Sequence, residues 1–583
     1  MAETVDELKI RIRELEKEVA QWKSKVKEVR YGLNWLDVPE AFDKESEDKI
    51  PILEEVPENA IDAEGPLSDN PTHVIIEGDN YHALTCLNYT HRGKIDVIYI
   101  DPPYNTGSDG FTYKDKRFLT EFPDGQKVPK EHPLRHSYWL SFMEKRLKLA
   151  KNLLSDKGVI FISIDDNEQA NLKLLCDKVF GENNFVGNLI WQKKFSPQND
   201  AKWFSDNHDF IVCYAKNKIN WHPNLLPRKD DTKSRYSNPD NDPRGPWAST
   251  DLAVKSYSKE YDYPIKTPSG KMVMPSKGRC WMTSKERMAK LIEDNRIWFG
   301  KSGSNMPRYK TFLSEVQQGI VPLSIWLHEE VGHNQSAKQE LKKIFSEIHL
   351  PFETPKPTTL IQKIIQLSTP KFSKATILDF FAGSGTTLHA TLNLNKEDNV
   401  KRQCILVQQT EGDKNICKDV TYERNRRVMC GYTNAKGEVV EGLGGHLKYY
   451  KTNFVGKHHS KNANDEDRIE LSQKAGCLIA LAENTLDSFT VPESANGFWQ
   501  IYTSNVEAPK RYTCIYHNGD YEHFSEFVGQ IDELRKSDKK AKFAVYVFSW
   551  GSPDIFENEF DNLKNIEIKA IPKPILEIYK ALN

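Results

Sequence analysis

Two short segments of the chain hold residues whose types and order could do chemistry. The first is Asp101-Pro102-Pro103-Tyr104-Asn105-Thr106-Gly107. Its prolines fix φ and remove two backbone donors. What remains is a carboxylate and a rigid carbonyl, both acceptors, beside an aromatic ring. That set suits a planar group bearing an amine, such as an adenine or cytosine edge. The acceptors take the amino hydrogens while Tyr104 covers a ring face. A plain Pro-Pro turn after a strand is the blander alternative. The second segment runs Asp379-Phe380-Phe381-Ala382-Gly383-Ser384-Gly385-Thr386-Thr387. Gly383 and Gly385 let backbone approach a ligand, and a helix starting there offers N–H groups to a carboxylate or phosphate. A tight strand-to-helix turn would read the same way. The spacing is too short for a Walker A loop and no Lys follows the second glycine. No other GxxxxGK[ST] occurs in the chain, which argues against a P-loop ATPase or helicase.

Strands must position both segments. Residues 73–79, 94–101, 158–165, 209–215, 375–381 and 403–409 are β-branched, nearly continuous apolar runs, as parallel strands covered on both faces should be. Helical patterns separate several of them, so the fold class is α/β with a doubly wound sheet. Four of these runs reach an acid: Asp79, Asp101, Asp165 and Asp379. Ligands bind at the carboxyl ends of such strands. Carboxylates gathered there are costly unless they meet cationic or hydrogen-bond-donating groups. The run Asp165-Asp166-Asn167-Glu168 reads as a helix start. His208 and Asp209 open a strand near the pocket and read as a packed or capping pair.

Around this core the chain divides unevenly. Val5, Leu8, Ile12, Leu15, Val19, Trp22, Val26 and Val29 repeat in an a/d heptad, predicting a coiled-coil helix over 1–31. An amphipathic helix lying on its own domain is the alternative. Residues 32–72 are Pro- and acid-rich and read as an arm or linker. Core segments follow at 73–215 and 351–450, with an inserted domain at 216–350 and a small α/β domain at 451–583. Trp191, Trp203, Trp221, Trp247, Trp281 and Trp298 thread the stretch around the insertion, as core or as nucleic-acid contacts.

The chain has 583 residues, a net charge of −2 and 28% charged residues, the profile of a globular protein. That near-neutral total hides an asymmetry. Residues 191–310 hold 23 Lys and Arg against 13 Asp and Glu. A basic island on an acidic chain is the footprint of a polyanion-binding segment, or of a Lys-rich solvated surface. Lys193, Lys194, Lys229, Lys233 and Arg235 are its candidate DNA contacts. Nine cysteines occur singly without C-x-x-C, which argues against a disulfide framework or a structural zinc site; no metal is expected. No stretch is apolar for the length of a membrane span, and the charged N-terminus is unlike a secretory signal, so a cytoplasmic location is expected.

DPPY joined to a later FAGSG loop resembles the signature of the S-adenosylmethionine-dependent amino-methyltransferases of DNA. The order, DPPY first and glycine loop last, is similar to their β-class arrangement, a circular permutation of the Rossmann-like methyltransferase sheet. The stretches 74–84, 88–107, 158–172, 188–194, 208–218, 352–365 and 379–390 resemble, more narrowly, the modification subunits of type III restriction–modification systems. The likeness covers about residues 30–450.

The resemblance implies S-adenosylmethionine as cofactor and double-stranded DNA as substrate, with adenine-N6 the methylated position. It also implies a homodimer, a target-recognition role for the insertion, and a separate restriction subunit with ATPase and nuclease activities. Asp101, Pro102, Pro103 and Tyr104 then match the catalytic motif. Asp379, Phe380, Phe381, Ala382, Gly383, Ser384, Gly385 and Thr386 match the cofactor loop. Lys356, Pro357 and Thr358 match the segment near the methionine end, and Asp79 and Asn80 the acidic turn on the cofactor side. One departure stands out. The strand after the glycine loop ends Val407-Gln408-Gln409-Thr410-Glu411, so Glu411 holds the ribose from a shifted position, or another group does. Cytosine-N4 methylation and a catalytically silent recognition subunit remain as alternatives.

Overall fold

The computed structural model describes residues 33, 35–38, 49–107, 117–122, 125–197, 201–227, 235–316, 319–347, 351–369, 374–410, 414–504, 509–551, 553–560 and 565–582. The predicted heptad helix lies outside the described residues, as do Lys229, Lys233 and Glu411.

The large sheet is built from β1 (Ile50–Glu55), β2 (Ile61–Ala63), β3 (His73–Glu77), β4 (Ile95–Ile100), β5 (Leu154–Ile164), β6 (Phe185–Gln192), β7 (His208–Ala215), β8 (Ile325–Trp326), β9 (Ala375–Asp379), β10 (Arg402–Gln408) and β11 (Gly445–Val455). Their order is β1-β11-β3-β10-β9-β4-β5-β7-β6-β8, with β2 also on β11. From β11 to β5 all neighbours are parallel. Helices cover the faces: α1 (Asn80–Thr90), α2 (Ser137–Leu153), α3 (Gln169–Phe180), α4 (Asn334–Ile344), α5 (Thr358–Ser368), α6 (Thr386–Asp398) and α7 (Glu423–Cys430). Strands such as β3 and β4 read as unbroken apolar runs because both faces are buried: Val74, Ile75, Ile76, Ile98 and Ile100 are all inaccessible.

Three expectations change. The run 209–215 is antiparallel to β5, because it returns from β6 through a hairpin with no crossover helix. A continuous apolar run does not encode direction. Residues 50–63, expected in an arm, form edge strands on β11. Pro51 and Glu54 suit a sheet edge, which also explains the missing periodicity. The insertion is narrower than 216–350: a separate compact unit spans Pro223–Pro322, while β8 and α4 belong to the first unit.

That second unit is held by short strand pairs around Leu252, Tyr263, Ile265, Val273, Trp281, Met288, Ile297 and Phe299. Trp281 is core, and Trp247 packs on Trp298 with ring centroids 5.3 Å apart.

The C-terminal segment adds β12 (Asp487–Phe489), β13 (Trp499–Thr503), β14 (Arg511–Tyr516), β15 (Lys542–Phe548) and β16 (Ile566–Ile571), in that order across one sheet. One face packs α10 (Phe524–Ser537) through Phe527 and Ile531. The other joins the main core. There Tyr502, Ile515 and Tyr546 meet α9 (Gly476–Glu483), preceded by α8 (Asp465–Lys474), and α11 (Lys573–Leu582). This segment is fused to the large sheet as one compact unit.

Candidate active site

β4 and β9 are neighbours in the sheet, yet the chain leaves them in opposite directions. From β4 it crosses by α2 to β5; from β9 it crosses by α6 to β10. Such a switch point opens a crevice at the carboxyl ends. Asp101 follows β4 directly and the Phe380–Gly385 turn follows β9, so strand register alone brings together segments about 280 residues apart in sequence. Between them lies a cleft open to solvent.

On the β4 side, Tyr104 Oη donates to Asp101 Oδ1 (2.9 Å) and Lys356 Nζ donates to Asp101 Oδ2 (2.5 Å). The Lys356 ammonium also lies 5.3 Å from the Tyr104 ring centroid. Asp101 thus keeps about half of its roughly four lone-pair sites for another donor. The turn itself is pinned. Trp139 Nε1 donates to the Pro103 carbonyl (2.8 Å). Asn105, at φ +58°, donates through Nδ2 to buried Glu168 (2.6 Å), which also takes His136 Nδ1 (2.5 Å). The Glu168 hydrogen bond raises the His136 pKa. Glu168 stands at the N-cap position of α3, where the acidic run predicts a helix start, but makes no side-chain capping bond there; its carboxylate holds the turn after β4 instead.

Asp209 is the residue that sequence reasoning undervalued. It is buried, lies 3.5 Å from the Tyr104 hydroxyl, and accepts from Lys193 (2.7 Å). Burial raises its carboxyl pKa against the opposing pull of Lys193 and Lys356. Lys193 is correspondingly no open DNA contact: it is only 11% exposed and pairs with Asp206 and Asp209. Lys194 is half-buried, with its backbone N–H on Asn207; Arg235 is exposed.

On the β9 side, Gly383 sits at φ +51°, where a side chain is strained and a Cβ would come within 3.1 Å of Phe352. Its N–H donates to Gln408 Oε1 (2.7 Å) at the end of β10. Asn80 Nδ2 donates to the Phe380 carbonyl (3.0 Å), while Arg146 donates to Asn80 Oδ1. Asp379 is buried beneath the loop and accepts from Thr387 (2.6 Å) and Phe381 N (3.0 Å). Burial pushes its carboxyl up to about 7 despite those bonds, with the Asp101 charge adding to the rise.

Of the expected cofactor residues, Asn80, Asp101, Lys356, Asp379, Phe380, Phe381, Ala382, Gly383, Ser384 and Thr386 line the cleft. Others stand behind it. Asp79 caps α1 and pairs with Arg146 (3.4 Å). Pro357 precedes α5, and Thr358 donates to Glu340 (2.7 Å) on α4. Gly385 is a turn residue packed against Thr421 and Asn425. Ser384 and Thr386 are also tied from below by Arg424. Where an acid is expected for the ribose, Gln408 and Gln409 line the cleft, joined by Phe352, Thr354, Pro355, Arg117, Tyr99 and Ile416. The polar end of β10 signals the glutamines; nothing local to Phe352 or Ile416 signals them. Gly383's closeness to Phe352 and the amide-lined rim make a cradle that fits a nucleoside carrying an amino-acid tail. Among the described residues no group of His, Cys, Asp and Glu is arranged to hold a metal.

The family described as DNA methylase matches residues 95–421, which contain both motifs. The chain is 35% identical over 461 residues to the Type III restriction-modification enzyme StyLTI Mod subunit of Salmonella typhimurium, covering 73% of this chain and 68% of the relative. It is 29% identical over 438 residues to the EcoP15I Mod subunit of Escherichia coli, covering 66% and 65%. The chain thus spans about two thirds of the length of these relatives. Among solved structures, a putative DNA modification methylase of Thermus thermophilus, complexed with S-adenosyl-L-methionine, matches with a TM-score of 0.30 and 14% identity, over 64% of this chain and 100% of that one. The chain belongs to the DNA methylase family, alongside the Mod subunits of type III restriction–modification enzymes.

Proposed function

We propose that this chain methylates the N6 amine of an adenine flipped out of duplex DNA, as the modification subunit of a type III restriction–modification system. The observation that carries this reading is the meeting of Asp101, held by the Tyr104 hydroxyl, with the Gly383 loop in one cleft. S-adenosylmethionine is the methyl donor and supplies an electrophilic methyl group. Phe380, Ala382, Gly383, Asn80 and Gln408 are the residues that would hold it, with Lys356 beside its charged tail.

The chain's own work is positioning and electrostatics. An exocyclic amine is a poor nucleophile because its lone pair is delocalised into the ring. Asp101 and the Pro102 carbonyl accept its hydrogens and favour a pyramidal nitrogen. Lys356 fixes the Asp101 carboxylate from the opposite oxygen. Asp209 and Asp101 together orient the Tyr104 ring through its hydroxyl. Extruding the base costs a few kcal/mol, of which stacking on an aromatic returns about 1–3 kcal/mol.

Asp at the head of the motif favours adenine over cytosine. The appearance of the DPPY strand before the glycine-loop strand supports a circularly permuted methyltransferase sheet. The Pro223–Pro322 unit is our candidate for target recognition, by its cations. The heptad supports a homodimer, and the relatives' names support a restriction subunit as partner. The test is nucleoside analysis of DNA treated with this protein and S-adenosylmethionine: N6-methyladenine is expected, N4-methylcytosine would move the specificity, and no methylated base would overturn the reading.

A further inference from the structure

The hairpin between β6 and β7 hangs from the same sheet edge as the catalytic turn. Phe210 pairs with Ile164 at the carboxyl end of β5, and His208 with Gln192 at the end of β6. The two described ends of the intervening segment, at Lys193 and Asn207, therefore leave and return at this edge, and Asp209 at its foot lies 3.5 Å from the Tyr104 hydroxyl. Its stem is braced. Lys193 N–H donates to the Asn207 carbonyl (2.9 Å), Asn334 N–H to the Lys193 carbonyl (3.0 Å), and the Lys193 ammonium clamps Asp206 and Asp209. Phe195 stacks on His328 and His333, with ring centroids 5.6 and 5.5 Å away.

Beyond the braced stem the loop presents Trp203 at 91% exposure and Phe204 at 98%. Trp191 and Trp221, by contrast, are buried, and Phe195 in the stem is 54% exposed. Two adjacent large rings left wholly in water beside an active site mark an interaction surface. Lys202, exposed next to them, suits a phosphate backbone.

We propose that Trp203 and Phe204 form a wedge that enters the base stack of the substrate duplex at the position the target base leaves. This inference rests on the methyltransferase reading above. A base that swings out leaves a gap with two apolar faces. Apolar side chains pushed between base steps offset the lost stacking and hold the duplex open. A stem fixed to the Tyr104-contacting Asp209 would couple the wedge to the pocket that receives the base.

The experiment uses the full chain, S-adenosylmethionine and two duplexes carrying the site mapped by sequencing of modified DNA. In one the target adenine is paired; in the other it faces an abasic position and is already unpaired. Trp203→Ala/Phe204→Ala should slow methyl transfer to the paired duplex by about 5- to 150-fold, the factor corresponding to one lost base–aromatic stack, while leaving the abasic-facing duplex within about threefold of wild type. The conservative Trp203→Tyr/Phe204→Tyr should recover most of the paired rate. Equal rates on the paired duplex, or an equal loss on both duplexes, would overturn the wedge; an equal loss with altered sedimentation would mean a protein–protein surface instead. Wild-type protein that methylates neither duplex would overturn the methyltransferase reading itself, a different failure.

Discussion

The carboxyl edge of the large sheet and the Pro223–Pro322 unit both gather charge, and they use it differently. At the edge, Lys193, Asp209, Tyr104, Asp101 and Lys356 form a chain of contacts that ends on an open cleft. The partners come from separate stretches of sequence, and strand register sets their distances. In the smaller unit three of the six described arginines are answered by carboxylates of the same unit. Arg244 pairs with Asp242 and Asp294, Arg296 with Asp294 and Glu315, Arg308 with Asp251, and buried Lys310 with Asp240 and Asp242. The basic surplus counted along the sequence is therefore not the charge available to a ligand. An ion-paired cation is already answered, and only its unpaired neighbours present a full charge to a polyanion.

The sharpest break of this comparison is at Asp101. If the edge exists to hold an amine, Asp101→Ala should lower methyl transfer by about 10²–10³ while the protein stays folded. Methyl-transfer rates under single-turnover conditions measure this. Near-normal turnover would make the edge a structural ion pair.

The cofactor half of the edge is tested at Gly383. Its φ of +51° and the 3.1 Å approach to Phe352 leave no room for a branched side chain. Gly383→Val should weaken S-adenosylmethionine binding by roughly 100-fold, about 2.7 kcal/mol, as read by calorimetry. Unchanged affinity in a folded protein would put the cofactor elsewhere.

Asp379 separates the edge's structural chemistry from its ligand chemistry. Its carboxyl is raised to about 7 by burial, from an ordinary value near 4. The folded state then binds more protons than the unfolded chain between those values. Stability should fall as pH rises from about 4 to about 7 and then level off. Asp379→Asn removes that slope, so urea midpoints of variant and wild type should diverge in the variant's favour toward pH 8, by on the order of 2 kcal/mol. Parallel midpoints across pH would mean that Asp379 is answered by its hydrogen bonds.

Much of the edge was legible beforehand because its signals are local. A strand followed by Asp101-Pro102-Pro103-Tyr104, and another followed by Gly383-Ser384-Gly385, fix the chemistry and the edge together. Asp209 was visible as a residue but not as a partner, because its role depends on the antiparallel return of β7. Lys193 looked free for the same reason: sequence shows a charge, and only pairing shows its answer. Phe352 reaches the cleft through a connection that no periodicity describes. The segment 50–63 was hidden because edge strands carry the prolines and acids that ordinarily mark loops.

The last prediction asks which cations of the smaller unit meet DNA. Helix Lys285–Glu293 turns Met288 inward and leaves Lys285, Arg287 and Lys290 exposed, without an ion pair among the described residues. Arg287 and Lys290 are three apart, so they are neighbours on the helix surface. Arg244, Arg296 and Arg308 carry the same charge but are held by carboxylates of the unit. Releasing an arginine to a phosphate would strand its acid, so its net yield is small. Replacing Lys285, Arg287 and Lys290 by Ala should weaken duplex binding and flatten the plot of log affinity against log salt by up to about 0.9 per lost phosphate contact. Replacing Arg308 alone should change that slope little, even though it removes the same kind of charge. Fluorescence anisotropy of a labelled duplex across a salt series reads both. If the Arg308 variant flattens the slope as much per residue as the triple variant, counting charge along the sequence was the better guide, and the contrast between the two regions fails.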